Sequence, residues 1–249
     1  MTPFIRPRAV SKPAVRLIVF HHAGGSSSTY YGLSSMLPSD WDLLLLDLPG
    51  RGKRYAEPPI KTMTNIVERV VEDVRPWLDA PIALFGHSLG GIVAAEVGRA
   101  CEKLGPPPIW VGISGRIGPS QLPERRSLHE LDDESLLREL LALGGTSPRV
   151  AETPEFLSHF LRNARADLAA VASYLPQKMR SRSSYPVTAF AGASDPWAPP
   201  HSMRCWERET MMDFRLRQFE GGHFYFLGSS LPALARTIVA EVEQYAVRH

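Results

Sequence analysis

LFGHSLGG, residues 84–91, sets a single serine, Ser88, between Gly86 and Gly90. The apolar run Ile82–Phe85 leads into it, and a long helical pattern ending near Leu104 leads out. A serine hydroxyl is a weak nucleophile and must project from the backbone toward a base to act. A sharp strand-to-helix turn achieves this by holding the serine at its tip. The residues two before and two after then crowd the neighbouring strand and helix, so they must be small. The stretch therefore predicts a strand, a tight turn bearing a presented hydroxyl, and a helix whose first N–H groups face a developing negative charge.

The rest of the chain supplies the sheet that such a turn requires. VRLIVF (15–20), WDLLLLDL (41–48), PIALFG (81–86), IWVGIS (109–114) and PVTAFA (186–191) are near-continuous apolar runs. Strands buried on both faces of a parallel sheet have that character. DFRLRQF (213–219) alternates apolar with charged residues and is expected nearer the sheet edge. Met63, Ile66, Val67, Val70, Val71, Val74 and Trp77 mark one helical stripe; Leu231, Leu234, Ile238, Val242 and Tyr245 mark another. The alternation predicts an α/β fold with a doubly wound, mostly parallel sheet, in one domain over 1–249.

One connection, 116–185, contains no good strand and is far longer than a usual link between elements. Two helices are expected inside it. The first starts near Ser127 or Asp132 and runs to Gly144. The second has Thr153 at its N-cap, Pro154 in its first turn, and a stripe of Leu157, Phe160, Leu161, Ala164, Leu168, Val171 and Leu175. Ligands bind beyond the carboxyl ends of parallel strands, so this helical insertion is expected to be a lid.

A nucleophilic serine of this kind is followed in the chain by an acid and then a histidine. AGASDPWAP (191–199) puts Asp195 just after a strand, and FEGGHFYF (219–226) puts His223 just after the next. Both fall on the rim that holds Ser88. His223 would take the serine proton, and Asp195 would fix the imidazole tautomer. Asp47 also follows a strand and is the rival carboxylate. An oxyanion hole needs two donors. The backbone N–H of Leu89 is one; Ala23 or Gly24, in the glycine-rich HHAGGSSS (21–28), provides the other. His21 and His22 are adjacent in an extended segment, point apart, and are expected to pack and hydrogen-bond locally.

Charge and composition narrow the function classes. Lys+Arg 28 against Asp+Glu 26 gives a net charge of +2, which makes no electrostatic case for nucleic acid. The two cysteines have no metal-ligand spacing and are expected to be ordinary thiols. No metal or dinucleotide fingerprint occurs, so neither metal nor cofactor is expected. The first fourteen residues are basic and proline-rich, without an apolar signal core, and are expected to form a short loose tail. No apolar run is long enough to span a membrane, so a soluble cytoplasmic protein is expected.

Taken together, HAGGSSSTYY, LDLPGRGKR, LFGHSLGG, ISGRIGP, GASDPWAP and GGHFYFL resemble the stand-alone type II thioesterases of polyketide and nonribosomal peptide synthesis, within the α/β-hydrolase superfamily. The likeness runs from about Val15 to the C-terminus. It implies an editing enzyme that removes unwanted acyl groups from the phosphopantetheine arm of acyl and peptidyl carrier proteins. Carried over residue by residue, the nucleophile falls on Ser88, the acid on Asp195, the base on His223, and the oxyanion donors on Ala23 and Leu89. The insertion matches the family's mobile lid, and a monomer is expected. His21 departs from the family, where proline often precedes HAGG. Arg116, Arg125 and Arg126 gather at the start of the insertion and are expected to meet an acidic carrier protein. A small-ester carboxylesterase or lipase on the same fold is the alternative, and an inactive hydrolase-like binding protein a third.

Overall fold

In the computed structural model the described residues are 2–121, 127–146, 152–176 and 180–246. They form a seven-stranded sheet. Its strands are β1 (Phe4–Ile5), β2 (Val15–Phe20), β3 (Trp41–Leu46), β4 (Ile82–His87), β5 (Trp110–Ser114), β6 (Val187–Gly192) and β7 (Phe214–Phe219). The spatial order is β1-β3-β2-β4-β5-β6-β7. Every pairing from β3 to β7 is parallel; β1 alone is antiparallel. The charged alternating strand β7 does sit at the edge, with residues half-buried or exposed, whereas β2 to β6 are buried throughout.

Helices cover both faces because the strands are apolar on both. They are α1 (Met63–Val74), α2 (Leu89–Leu104), α3 (Asp133–Ala142), α4 (Pro154–Ser173), α5 (Pro200–Met203) and α6 (Leu231–Ala246). Successive strand side chains point to opposite faces. Ile18 and Phe20 thus join Leu44, Leu84 and Ile113 beneath α1 and α2. Leu17 and Val19 join Leu43, Phe85 and Phe190 beneath α6. At the centre of the sheet β4, buried throughout, lies between β2 and β5 and leads into Ser88 at its carboxyl end.

The 116–185 insertion contains α3 and α4. Leu136 and Leu140 of α3 meet Leu161, Ala164 and Leu168 of α4 in a small core of their own. Asp132 caps α3, accepting from the Ser135 N–H at 2.9 Å; Ser127 precedes a separate short 3-10 turn at Leu128–Glu130. Thr153 takes the N-cap position of α4, but its side chain makes no capping bond. α4 ends at Ser173, so Leu175 drops out of the expected stripe and is 73% exposed.

The N-terminal segment is not a loose tail. Phe4 and Ile5 pair with Leu46 and Leu45, and the Phe4 ring is buried against Trp77. Arg6 reaches both carboxylate oxygens of Asp42, at 2.7 and 2.8 Å. Two residues are too few to show a period, and flanking prolines disguise a strand that an edge position tolerates. Among the described residues no helix is long and apolar enough to cross a membrane. Phe4→Ala is expected to cost about 3 kcal/mol or more in a denaturant titration; a loose tail would leave the midpoint where it was.

Candidate active site

Ser88 is the only non-glycine among the described residues with positive φ, at φ 55° and ψ −112°. The strain is held by its surroundings. A Cβ on Gly86 would sit inside the backbone carbonyl of Gly90, and one on Gly90 would run into that of Phe20. The Ser88 N–H donates to Ser114 O at 2.8 Å, tying the turn to β5. Ser88 occupies the N-cap of α2 yet makes no side-chain capping bond, so its hydroxyl is not spent on the helix.

Asp195 and His223 come from the loops after β6 and β7, which approach closely: a Cβ on Gly192 would collide with Gly222 O. The approach brings His223 Nδ1 to 2.8 Å from Asp195 Oδ2. Asp195 Oδ1 accepts from the N–H groups of Trp197 and Ala198, at 2.8 and 3.1 Å. Burial alone would raise the Asp195 pKa. Hydrogen bonding and charge from His223, then the two backbone N–H bonds, outweigh it and hold the carboxyl below its ordinary value. In a neutral imidazole, a proton on Nδ1 shared with Asp195 leaves Nε2 as the acceptor. Asp47, the rival acid, is elsewhere engaged: it accepts from Ser27 N at 2.8 Å and Ser27 Oγ at 3.0 Å.

Ser88 and His223 line one cavity of about 290 Å³. Its walls include Ala23 and His22 from the loop after β2, and Leu140, Leu168 and Val171 from the insertion. The choice between Ala23 and Gly24 as oxyanion donor is narrowed by Asp167 of α4. Its Oδ2 takes the Gly24 N–H at 2.8 Å, so that donor is spent. Asp167 also forms a bidentate pair with Arg51, at 2.7 and 3.0 Å, and Arg51 donates to Gly25 O at 3.1 Å. Asn163, one turn earlier, donates to Gly50 O at 2.9 Å. These residues were not singled out from the sequence. The signal was there: Asn163 and Asp167, four apart, are polar residues beside the apolar stripe of α4.

Both leading histidines are buried, and burial is the main reason each is pushed down to about 3. His21 makes one local bond as expected, its Nδ1 2.8 Å from His22 O, and its Nε2 also accepts at 3.3 Å from the N–H of Leu48, 27 positions away. His22 goes further than expected, because its ring reaches the cavity and stacks edge-on with Phe224. His87, inside the serine motif, is wholly buried and held well below its ordinary value, first by burial and then by the charges of His223 and His22. Its Nδ1 lies 2.8 Å from Ser114 Oγ, which is 2.7 Å from the Tyr225 hydroxyl. Among the described residues no group of three or more His, Cys, Asp or Glu side chains could hold a metal ion. Cys101 and Cys205 are free and buried.

Arg116 is not a surface residue. It is half-buried and lines the cavity. Arg125 and Arg126, its expected companions, lie outside the described residues.

A family model for the thioesterase domain matches residues 15–242. The chain belongs to the thioesterase family. It is 39% identical over 214 residues to the thioesterase PikA5 of Streptomyces venezuelae, covering 85% of this chain and 75% of that one. The gramicidin S biosynthesis protein GrsT of Aneurinibacillus migulanus is 32% identical over 227 residues, covering 91% and 88%. Among solved structures, the type II thioesterase BorB from the borrelidin biosynthetic cluster superposes with a TM-score of 0.87. It is 31% identical, over 96% of this chain and 97% of that one. This thioesterase therefore has the α/β-hydrolase fold of the type II enzymes, and its family activity is thioester hydrolysis.

Crowding at the serine turn sets two glycines apart. Gly86→Ala is expected to yield little folded protein, since the obstructing atom is backbone, whereas Gly105→Ala, with nothing within 4 Å of its Cβ, is expected to fold normally. Soluble yield and thermal melts of the two variants decide it; equal behaviour would remove the packing explanation.

Proposed function

We propose that this thioesterase hydrolyses acyl thioesters carried on the phosphopantetheine arm of acyl and peptidyl carrier proteins, clearing aberrant acyl groups from polyketide or nonribosomal peptide assembly. The observation that carries the reading is the buried His223–Asp195 pair, whose histidine lines the same cavity as a serine held at positive φ. The names of the relatives, PikA5, GrsT and the borrelidin-cluster BorB, support the assembly-line setting.

In this reading Ser88 Oγ attacks the thioester carbonyl carbon while His223 Nε2 takes its proton. The oxygen that gains charge accepts from the N–H groups of Ala23 and Leu89. The carbon–sulfur bond breaks, and the thiol departs with the proton from the imidazolium. Water, deprotonated by His223, then releases the acyl group from Ser88 by the same steps in reverse. Asp195 holds the imidazole in the needed tautomer and stabilises its positive charge. No metal or cofactor enters the scheme. The whole chain acts as one domain and as a monomer in the cytoplasm, a reducing compartment that suits the two free thiols. The 116–185 insertion is the lid, and its apolar inner face meets the acyl chain.

Two acidic positions test the assignment against each other. Ser88→Ala should leave only the residual catalysis of binding and oxyanion stabilisation, about 10³–10⁴ over water. Asp195→Asn should lower kcat by about 10⁴. Asp47→Asn should act on stability rather than on the chemical step. Steady-state kinetics on an acyl-carrier protein would contradict the reading if Asp195→Asn turned over normally while Asp47→Asn did not.

A further inference from the structure

Beside the cavity that Ser88 lines is a second one of about 250 Å³, walled by Pro119, Pro176, Arg180, Arg182, Arg208 and Glu209. The two adjoin. Leu175 lines the first and Pro176 the second; Ile117 lines the first and Pro119, two residues on, the second. Tyr174 also lines the serine cavity, and its hydroxyl lies 3.4 Å from Nη1 of Arg180. The hydrolytic steps at Ser88 and His223 make no use of the second cavity.

Its charge is held in place. Arg180 donates through Nη1 to Glu96 at 2.6 Å and through Nε to Glu209 at 2.8 Å, and Arg99 donates to Glu209 at 3.0 Å. Two arginines thus share the Glu209 carboxylate and neutralise it. Arg182 and Arg208 are exposed, so a ligand can reach their guanidinium groups. Arg182 is steadied through one nitrogen, Nη2, which donates to Glu207 O at 3.1 Å. The wall therefore sets three arginines against a single glutamate whose charge is already matched. An anion is the ligand that suits it, and guanidinium groups grip a phosphate through paired N–H donors.

Spacing selects the anion. Glu96, to which Arg180 is fastened, is eight residues along α2 from Ser88, about 12 Å of helix. A pantetheine arm has about thirteen bonds from sulfur to phosphorus, the length of roughly four extended residues or ~14 Å. The second cavity is thus about one arm's length from the serine. We propose that it is the phosphate subsite of the pantetheine arm. With the thioester at Ser88, the arm passes Tyr174 and Leu175 and sets its phosphate against Arg182 and Arg208. The inference rests on the reading of Ser88 as the place where the thioester is cleaved.

The test compares two thioesters that differ only in the phosphate, acetyl-phosphopantetheine and acetyl-pantetheine. In the double variant Arg182→Gln/Arg208→Gln, kcat/KM for the phosphorylated substrate is expected to fall by about tenfold through KM, as for loss of charged hydrogen bonds. The acetyl-pantetheine rate and the thermal melt should hold. Equal losses on both substrates would mean that the arginines serve the fold or the shared arm, and an unchanged ratio would mean that they read no phosphate; either overturns the proposal. A carrier protein and coenzyme A offer the same arm phosphate from two sources. The acetyl-carrier thioester should lose at least as much as the free arm, and a loss confined to acetyl-coenzyme A would overturn the assignment to a carrier-borne arm. Ser88→Ala should abolish acetyl-pantetheine turnover, which needs no phosphate, so failure of the underlying reading is distinguishable from failure of the subsite.

Discussion

The positive φ of Ser88 is the constraint from which the rest of the site follows. A non-glycine residue held in such a conformation costs about 1–3 kcal/mol and persists only where its surroundings over-determine it. Here β4 lies between β2 and β5, and the turn has backbone on two sides: Gly90 O fills the space a Gly86 side chain would need, and Phe20 O fills that of Gly90. The bond from Ser88 N–H to Ser114 O fixes the tip to β5. The strained backbone sits at the middle of a parallel sheet whose neighbouring strands are buried throughout. The loops after β2, β6 and β7 converge on the same rim, which is why Ala23 and His223 line one cavity with Ser88 while Asp195 bonds to His223 Nδ1.

A second interaction connects that rim to the insertion. The Arg51–Asp167 pair is almost wholly enclosed, with side chains 6% and 1% exposed. Removing one partner of a pair so buried costs about 3–5 kcal/mol, because a charge is left uncompensated. Through Gly24 N–H and Gly25 O the pair also holds the glycine-rich loop that carries Ala23. α4 is thereby fastened to the proposed oxyanion loop as well as covering the cavity. Asp47 holds the same loop from β3, through Ser27. The glycines that allow backbone N–H groups to approach a substrate are thus stabilised by carboxylates on either side.

How much of this was legible depended on range. Strands β2 to β6 announced themselves as apolar runs, and β7 by its alternation, because each is long enough to show a pattern; β1, two residues long just after Pro3, is not. Ser88, Asp195 and His223 each belong to a short local motif at a strand end, so their meeting could be anticipated from order alone. Arg51 and Asp167 are 116 positions apart, and only the docking of α4 brings them together. Arg116 shows the opposite failure. Its charge suggested a surface role beside Arg125 and Arg126, but position two after Ser114 turns it into the cavity, and no local pattern distinguishes an inward arginine from a solvated one. Thr153 likewise has the right residue type for a cap without making the bond.

The account turns on one claim, that the geometry around Ser88 makes that hydroxyl, and no other, a nucleophile. Treatment of the folded protein with a serine-directed fluorophosphonate, followed by peptide mapping, measures it directly. The account predicts a single covalent adduct, on Ser88. An adduct confined to a different residue, or a folded protein that takes up no label, would contradict it.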